Sequence, residues 1–133
     1  MAEKISFDLV SPERLLLSEE AEMVGIPGSE GDMGVMSGHM PLITTLRPGV
    51  IDVSGGATKG DQRFYVTGGF AEVTASKLTV LAEVAIPVSE LDAAALKALI
   101  EKTEQELADS NTDLERGKKQ MQLECLKQLS GSH

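Results

Sequence analysis

Residues 77–107, KLTVLAEVAIPVSELDAAALKALIEKTEQEL, contain the point at which the chain changes its period. Before it, Leu78, Val80 and Ala82 alternate with Thr79, Leu81 and Glu83, the two-residue repeat of a half-buried strand. Pro87 ends that series. Beyond it proline is absent, glycine is scarce, and the strong helix formers Ala, Leu, Glu, Lys and Gln take over. Leu96, Leu99, Ile100, Thr103 and Leu107 then recur at helical spacing. Ser89, three residues before Asp92, reads as an N-cap with an acid in the first turn, so a helix is expected over residues 90–108. The chain therefore divides into an all-β unit, residues 1–87, and a helical unit, residues 88–133.

Toward the C-terminus, Asp109, Ser110 and Asn111 make a short polar connection, and Thr112 with Glu115 opens a second helix expected to run to about Leu129. Its apolar face reads as Leu114, Met121, Cys125 and Leu129, with Gly117 placed for close approach of the first helix. Two helices joined so tightly lie antiparallel as a helical hairpin. Such a hairpin has too little core to be very stable alone and must lean on the β unit or on another protein.

Toward the N-terminus, short strand patterns occupy residues 4–10, 14–17, 20–26, 42–46, 50–53, 63–66, 70–73 and 77–86, with glycine and proline between them. Many short strands at near-regular spacing specify a sandwich or barrel. The exception is residues 28–50, GSEGDMGVMSGHMPLITTLRPGV, where five glycines and two of the five prolines surround the internal histidine His39. Such density specifies one backbone path, a shaped loop at a large entropic cost. Met33, Val35, Met36, Met40, Leu42 and Ile43 imply that this loop lies on apolar surface and turns Glu30, Asp32 and His39 outward.

Composition narrows the function. With 133 residues the chain is near the lower end for an enzyme, and a formal charge of -9 without a basic stripe argues against nucleic acid as a partner. No apolar run approaches the roughly 20 residues of a membrane-spanning helix. The N-terminal residues show neither a signal nor a transit pattern, so the product is expected to stay where it is made. One cysteine, Cys125, excludes an intramolecular disulfide framework and fits a reducing compartment. His39 has no second internal histidine and no cysteine pair beside it, so a structural or interface role outweighs metal ligation. The 28–34 run lacks both a following helix and a Lys-Ser/Thr pair, so it is not a phosphate-binding fingerprint.

Five strings, in order, carry a family resemblance: FDLVSPE from Phe7, GSEGxxGVxxGHxPL from Gly28, LRPG from Leu46, GGFAEV from Gly68 and LTVLAE from Leu78. With a two-helix tail behind them, the chain resembles the ε-subunit family of bacterial F-type ATP synthases, whose mitochondrial counterpart is called δ. The resemblance implies an N-terminal all-β sandwich of about ten strands followed by a C-terminal antiparallel two-helix hairpin. It also implies a non-catalytic rotor subunit, without cofactor or metal, peripheral to the cytoplasmic face of a bacterial inner membrane and held there only through the complex. The implied partners are the γ subunit and the c-ring, met through Ser11, Glu30, Asp32, His39 and Met40, with Ser11 on the γ side and Asp32 facing basic or polar groups of the ring. The hairpin, with Arg116, Lys118, Lys119 and Lys127, is the implied contact to the α and β subunits and the candidate regulator of ATP hydrolysis.

The chain departs from that family in one place. Members whose hairpin binds ATP carry [IL]-D-x-x-R-A at the start of the first helix, and here Leu91, Asp92, Ala93, Ala94, Ala95 and Leu96 stand there. Asp92 is what remains of such a nucleotide site, Ala95 replaces the arginine, and ATP binding is expected to be weak or absent. Two other function classes remain: a stand-alone β-sandwich module sensing a small ligand through its hairpin, and a small hydrolase around His39. The hydrolase lacks a recognisable nucleophile or metal, and neither accounts for the five strings in their order.

Overall fold

The computed structural model describes residues 4–38, 40–56 and 60–131. Ten strands come first: β1 (Ile5–Val10), β2 (Leu15–Ala21), β3 (Met23–Gly28), β4 (Gly31–Val35), β5 (Leu42–Leu46), β6 (Gly49–Gly56), β7 (Gly60–Val66), β8 (Gly69–Val73), β9 (Lys77–Ala82) and β10 (Ala85–Pro87). A single 3-10 turn at Val88–Glu90 leads into α1 (Ala93–Ala108) and α2 (Asp113–Gly131). The hydrogen-bonded order is β10-β7-β6-β3-β5-β8-β9-β1-β2, with β4 added to β3. All pairs are antiparallel except β1 with β9. The sheet folds over itself as a sandwich, and the Glu22 amide donates to the Ser54 carbonyl (2.9 Å) where β2 meets β6.

Alternation builds the core. Ile5, Phe7 and Leu9 of β1, Ile51 and Val53 of β6, and Leu78, Val80 and Ala82 of β9 all point inward and are buried. The run Phe64, Tyr65, Val66 is apolar on both faces for a reason. Phe64 and Val66 enter this core, while Tyr65 enters a second, smaller one with Leu91, Leu96, Leu126 and Leu129. The hairpin therefore leans on the sandwich, over Val50, Tyr65 and Ile86. An ion pair from Lys118 to Glu83 (2.7 Å) joins α2 to the end of β9.

Several expectations need correction. Residues 28–50 are not one loop: besides β5, at the strand expected over residues 42–46, they hold the unexpected β4, which pairs with β3 from Val24–Val35 to Gly28–Gly31. Glycine density concealed the strand, because period and propensity both fail in GDMGV. Pro27 and Gly28 belong to β3 instead of ending it. β6 has left that edge after Gly25, so no ladder donor is asked of Pro27 there. Residues 77–86 are two strands, since Glu83 and Val84 turn the chain toward β7, with the Glu83 amide bonded to Gly68 and the Thr67 amide to Val84.

In the hairpin, Ser89 lies in the 3-10 turn and the cap of α1 is Asp92, whose carboxylate accepts from the Ala95 amide at 2.8 Å. The second capping site is as expected: the Glu115 amide donates to the Thr112 hydroxyl (3.1 Å), and the Glu115 carboxylate accepts from the Asn111 amide (3.3 Å). The inner face of α2 is Gln122, Leu123, Leu126 and Leu129, with Cys125 half-buried. Leu114 is 85% exposed, and Met121 is exposed too, at a cleft between α2 and the sheet. Gly117 meets nothing where a side chain would project, so it does not serve helix contact.

Candidate functional site

The acidic site predicted from the sequence lies where β3 turns into β4. Ser29 and Glu30 form the turn, and Asp32 stands opposite Pro27 in the returning strand. Gly31 closes the turn at φ +144°, a backbone conformation that favours glycine. Glu30 is exposed at the tip, and the Asp32 side chain is 82% exposed. Asp32 is ion-paired within the chain to Arg47. The other arm of the Arg47 guanidinium donates to the Gly28 carbonyl at 2.5 Å. The turn lies along β5, where the Ser29 amide donates to the Thr45 carbonyl at 2.9 Å.

Met40, in the β4–β5 connection, is 79% exposed, and Met36 beside it is exposed too, so these two methionines are surface and not core. His39 lies outside the described residues. Ser11 sits half-buried in the β1–β2 connection, where its amide donates to the Arg14 carbonyl (2.9 Å) and its hydroxyl to the same atom (3.3 Å). Glu30 and Asp32 are brought together; Ser11 is held apart. The parallel register Ser6–Lys77 to Val10–Leu81 puts Ser11 at the Leu81 end of β9. The Gly38 amide bonds the Ala75 carbonyl (2.7 Å), putting the Met40 connection at the other end.

Two features escaped the sequence reading. One is Arg47, which stood only as a letter in LRPG. The other is an apolar outer face on β5, β8 and β9, where register aligns Thr45, Phe70 and Leu81, and where Ile43, Phe70 and Leu81 are exposed. The available signal was that outward positions of these strands carry large apolar residues instead of polar ones, a mark of interaction surface.

Electrostatics around these residues is local. Asp8 is held below the ordinary carboxylate range, chiefly by the Ser18 hydroxyl (2.7 Å) and also by Lys77 (3.2 Å). Burial pushes the Cys125 thiol up, away from the thiolate that nucleophilic chemistry needs. Among the described residues no group of three His, Cys, Asp or Glu side chains could hold a metal ion. Asp92 uses its carboxylate as a helix cap, as above. Among the described residues no helix is long and apolar enough to cross a membrane. The arrangement offers recognition surfaces: an acidic tip, two exposed methionines and an apolar sheet face.

Comparison with known proteins gives these surfaces a context. The sequence pattern of a family described as "ATP synthase, Delta/Epsilon chain, beta-sandwich domain" matches residues 4–88. The ATP synthase epsilon chain of Parvibaculum lavamentivorans is 54% identical over 130 residues, covering 97% of each chain. That of Mesorhizobium japonicum is 45% identical over 132 residues, covering 99% of this chain and 97% of its own. Among solved structures, a chain of the mitochondrial ATP synthase of Euglena gracilis superposes with a TM-score of 0.73 at 24% identity, over 97% of this chain and 81% of that one, and so shares the fold. With matching strings, a matching sandwich and relatives aligned over nearly the whole length, the chain belongs to the ATP synthase delta/epsilon family.

Proposed function

We propose that this chain is a non-catalytic rotor subunit of an F-type ATP synthase, carried in the central stalk between the γ subunit and the c-ring. The observation that carries this reading is the 54% identity, over nearly the full length of both chains, to a protein named ATP synthase epsilon chain. The subunit transmits torque and performs no chemistry. Residues 1–87 bear the load and residues 88–133 regulate. A sandwich packed between the two layers of one folded sheet deforms little, and recognition elements on strands and short turns hold their geometry better than a flexible arm would.

In this reading Glu30, Asp32, His39 and Met40 face the c-ring and γ, while Ser11, at the far end of the sheet, contacts γ elsewhere. The exposure of Glu30 and Met40 supports it. Asp32 reaches the ring as half of an ion pair with Arg47, not as a free carboxylate. Attachment to the membrane is peripheral and indirect, at the cytoplasmic face of a bacterial inner membrane. The hairpin is the contact to the α and β subunits, but here it is docked. Three of its four named cations are engaged within the chain: Arg116 with Asp113, Lys118 with Glu83, and Lys119 with Glu106. Asp92 is a vestige of the nucleotide site. Its carboxylate is engaged as the cap of α1, and the Ala95 methyl that stands for the motif arginine offers no positive charge to a phosphate, which supports weak or absent ATP binding.

The test is binding of the full chain to γ from the same organism, by size exclusion and calorimetry, beside an Asp32→Ala/His39→Ala double variant. A tight one-to-one complex is expected. Weakened binding by the variant turns the tip toward γ, and unchanged binding turns it toward the ring alone. No complex with a folded γ overturns the rotor reading.

A further inference from the structure

The turn at Ser29 and Glu30 does not use the backbone conformation that two-residue hairpins favour. Two-residue hairpins favour turns with positive φ at one or both loop residues, because that twist matches the strands. Neither Ser29 nor Glu30 has positive φ; the unusual dihedral falls on Gly31. The geometry points to Arg47 as the positioning residue that holds this tip in place. From the connection between β5 and β6, its amide donates to the Pro27 carbonyl (3.0 Å) and its guanidinium to the Gly28 carbonyl (2.5 Å), both on the outgoing arm. The second guanidinium nitrogen takes the Asp32 carboxylate on the returning arm. One side chain thus grips the hairpin on both sides of Glu30.

The chemistry requires arginine. A planar fork reaches two acceptors on different strands at once, whereas a lysine ammonium is a single point that serves one well. The setting strengthens the grip. Asp32 is open to water, but the Arg47 side chain is only 33% exposed, with its stem in the wall of a cleft of about 470 Å³ between the sheet and α2. Met121 and Cys125 of α2 line the same cleft. A fully solvated pair would contribute little, while a hydrogen bond to a charged group with water partly excluded contributes more.

This inference rests on the rotor reading only for what the tip touches; the clamp itself belongs to the isolated chain. The experiment is amide exchange on full-length wild type, Arg47→Met, Arg47→Lys and Asp32→Asn. Arg47→Met is expected to speed exchange of residues 29–32 roughly tenfold, with Arg47→Lys and Asp32→Asn in between, while β1 and β9 stay at wild-type rates. Unchanged exchange at the tip in Arg47→Met overturns the clamp. If Arg47→Met loses the fold, Asp32→Asn, at an exposed position, decides by the same readout. The same proteins are then titrated against a detergent-solubilised γ–c-ring assembly. Weaker binding by Arg47→Met, partly restored in Arg47→Lys, supports positioning for the partner, and equal binding despite a loosened tip overturns it. Wild type that fails to bind removes the rotor reading and leaves the exchange result standing.

Discussion

At Gly69 the backbone takes φ +142°, and a Cβ built there would lie 1.9 Å from the carbonyl oxygen of Leu81. The neighbouring atoms are sheet backbone, which has nowhere to move. Gly69→Ala is therefore expected to destabilise the chain by about 3 kcal/mol or more, combining a forced dihedral with a backbone clash. A denaturant midpoint lowered at unchanged slope would confirm it, and a midpoint within error of wild type would refute it. The GGF string was legible as punctuation in the sequence. Its reason was not, because the crowding atom belongs to β9, twelve residues further along. Arg47 has the same character: nothing local distinguishes it from a solvated arginine until β3 and β4 are folded beside it.

At the scale of elements, the docked hairpin depends on a few apolar side chains. Leu126 is fully buried between α2 and the sheet, beside Tyr65 and Leu96. Leu126→Ala is expected to cost about 2–5 kcal/mol of docking free energy, so the hairpin loosens while the larger core persists. Amide exchange should then rise through α1 and α2 and not in β1 or β9; a uniform rise would mean that the two units unfold together. Helix existence and the Thr112 cap were legible because they depend on local residue types. The buried face of α2 was not, since Leu114 and Met121 fit the same stripe as Leu129 until tertiary packing selects Leu123, Leu126 and Leu129. β4 was invisible for a related reason. A strand of Gly31, Asp32, Met33, Gly34 and Val35 has little propensity of its own and forms because β3 supplies its partner.

For the molecule as a whole, the single tyrosine reports on the joint between its two parts. Burial under the hairpin pushes the Tyr65 hydroxyl well above its ordinary pKa, with the nearby Cys125 and Glu106 adding to the shift. The folded state therefore holds this proton more tightly than the unfolded chain does. The stability it contributes is fully present below the unfolded tyrosine value of about 10 and is lost as pH rises beyond it. Ultraviolet titration of the native protein should show no tyrosinate through pH 10, and Leu126→Ala should bring ionisation down toward the unfolded value. Tyrosinate appearing near pH 10 in wild type would mean that the hairpin is not docked in solution.

Period, propensity and punctuation were enough for an all-β unit, a change of class at Pro87 and two antiparallel helices, because each rests on interactions within a few residues. The five strings were enough for the family. Which glycine-rich residues become a strand, which side of α2 is buried, that Asp32 is paired and that Ser11 stands apart from the tip all depend on residues distant in sequence meeting in space. Those meetings follow from the folding over of the sheet and the seating of the hairpin, where burial of apolar surface across the chain outweighs local preference.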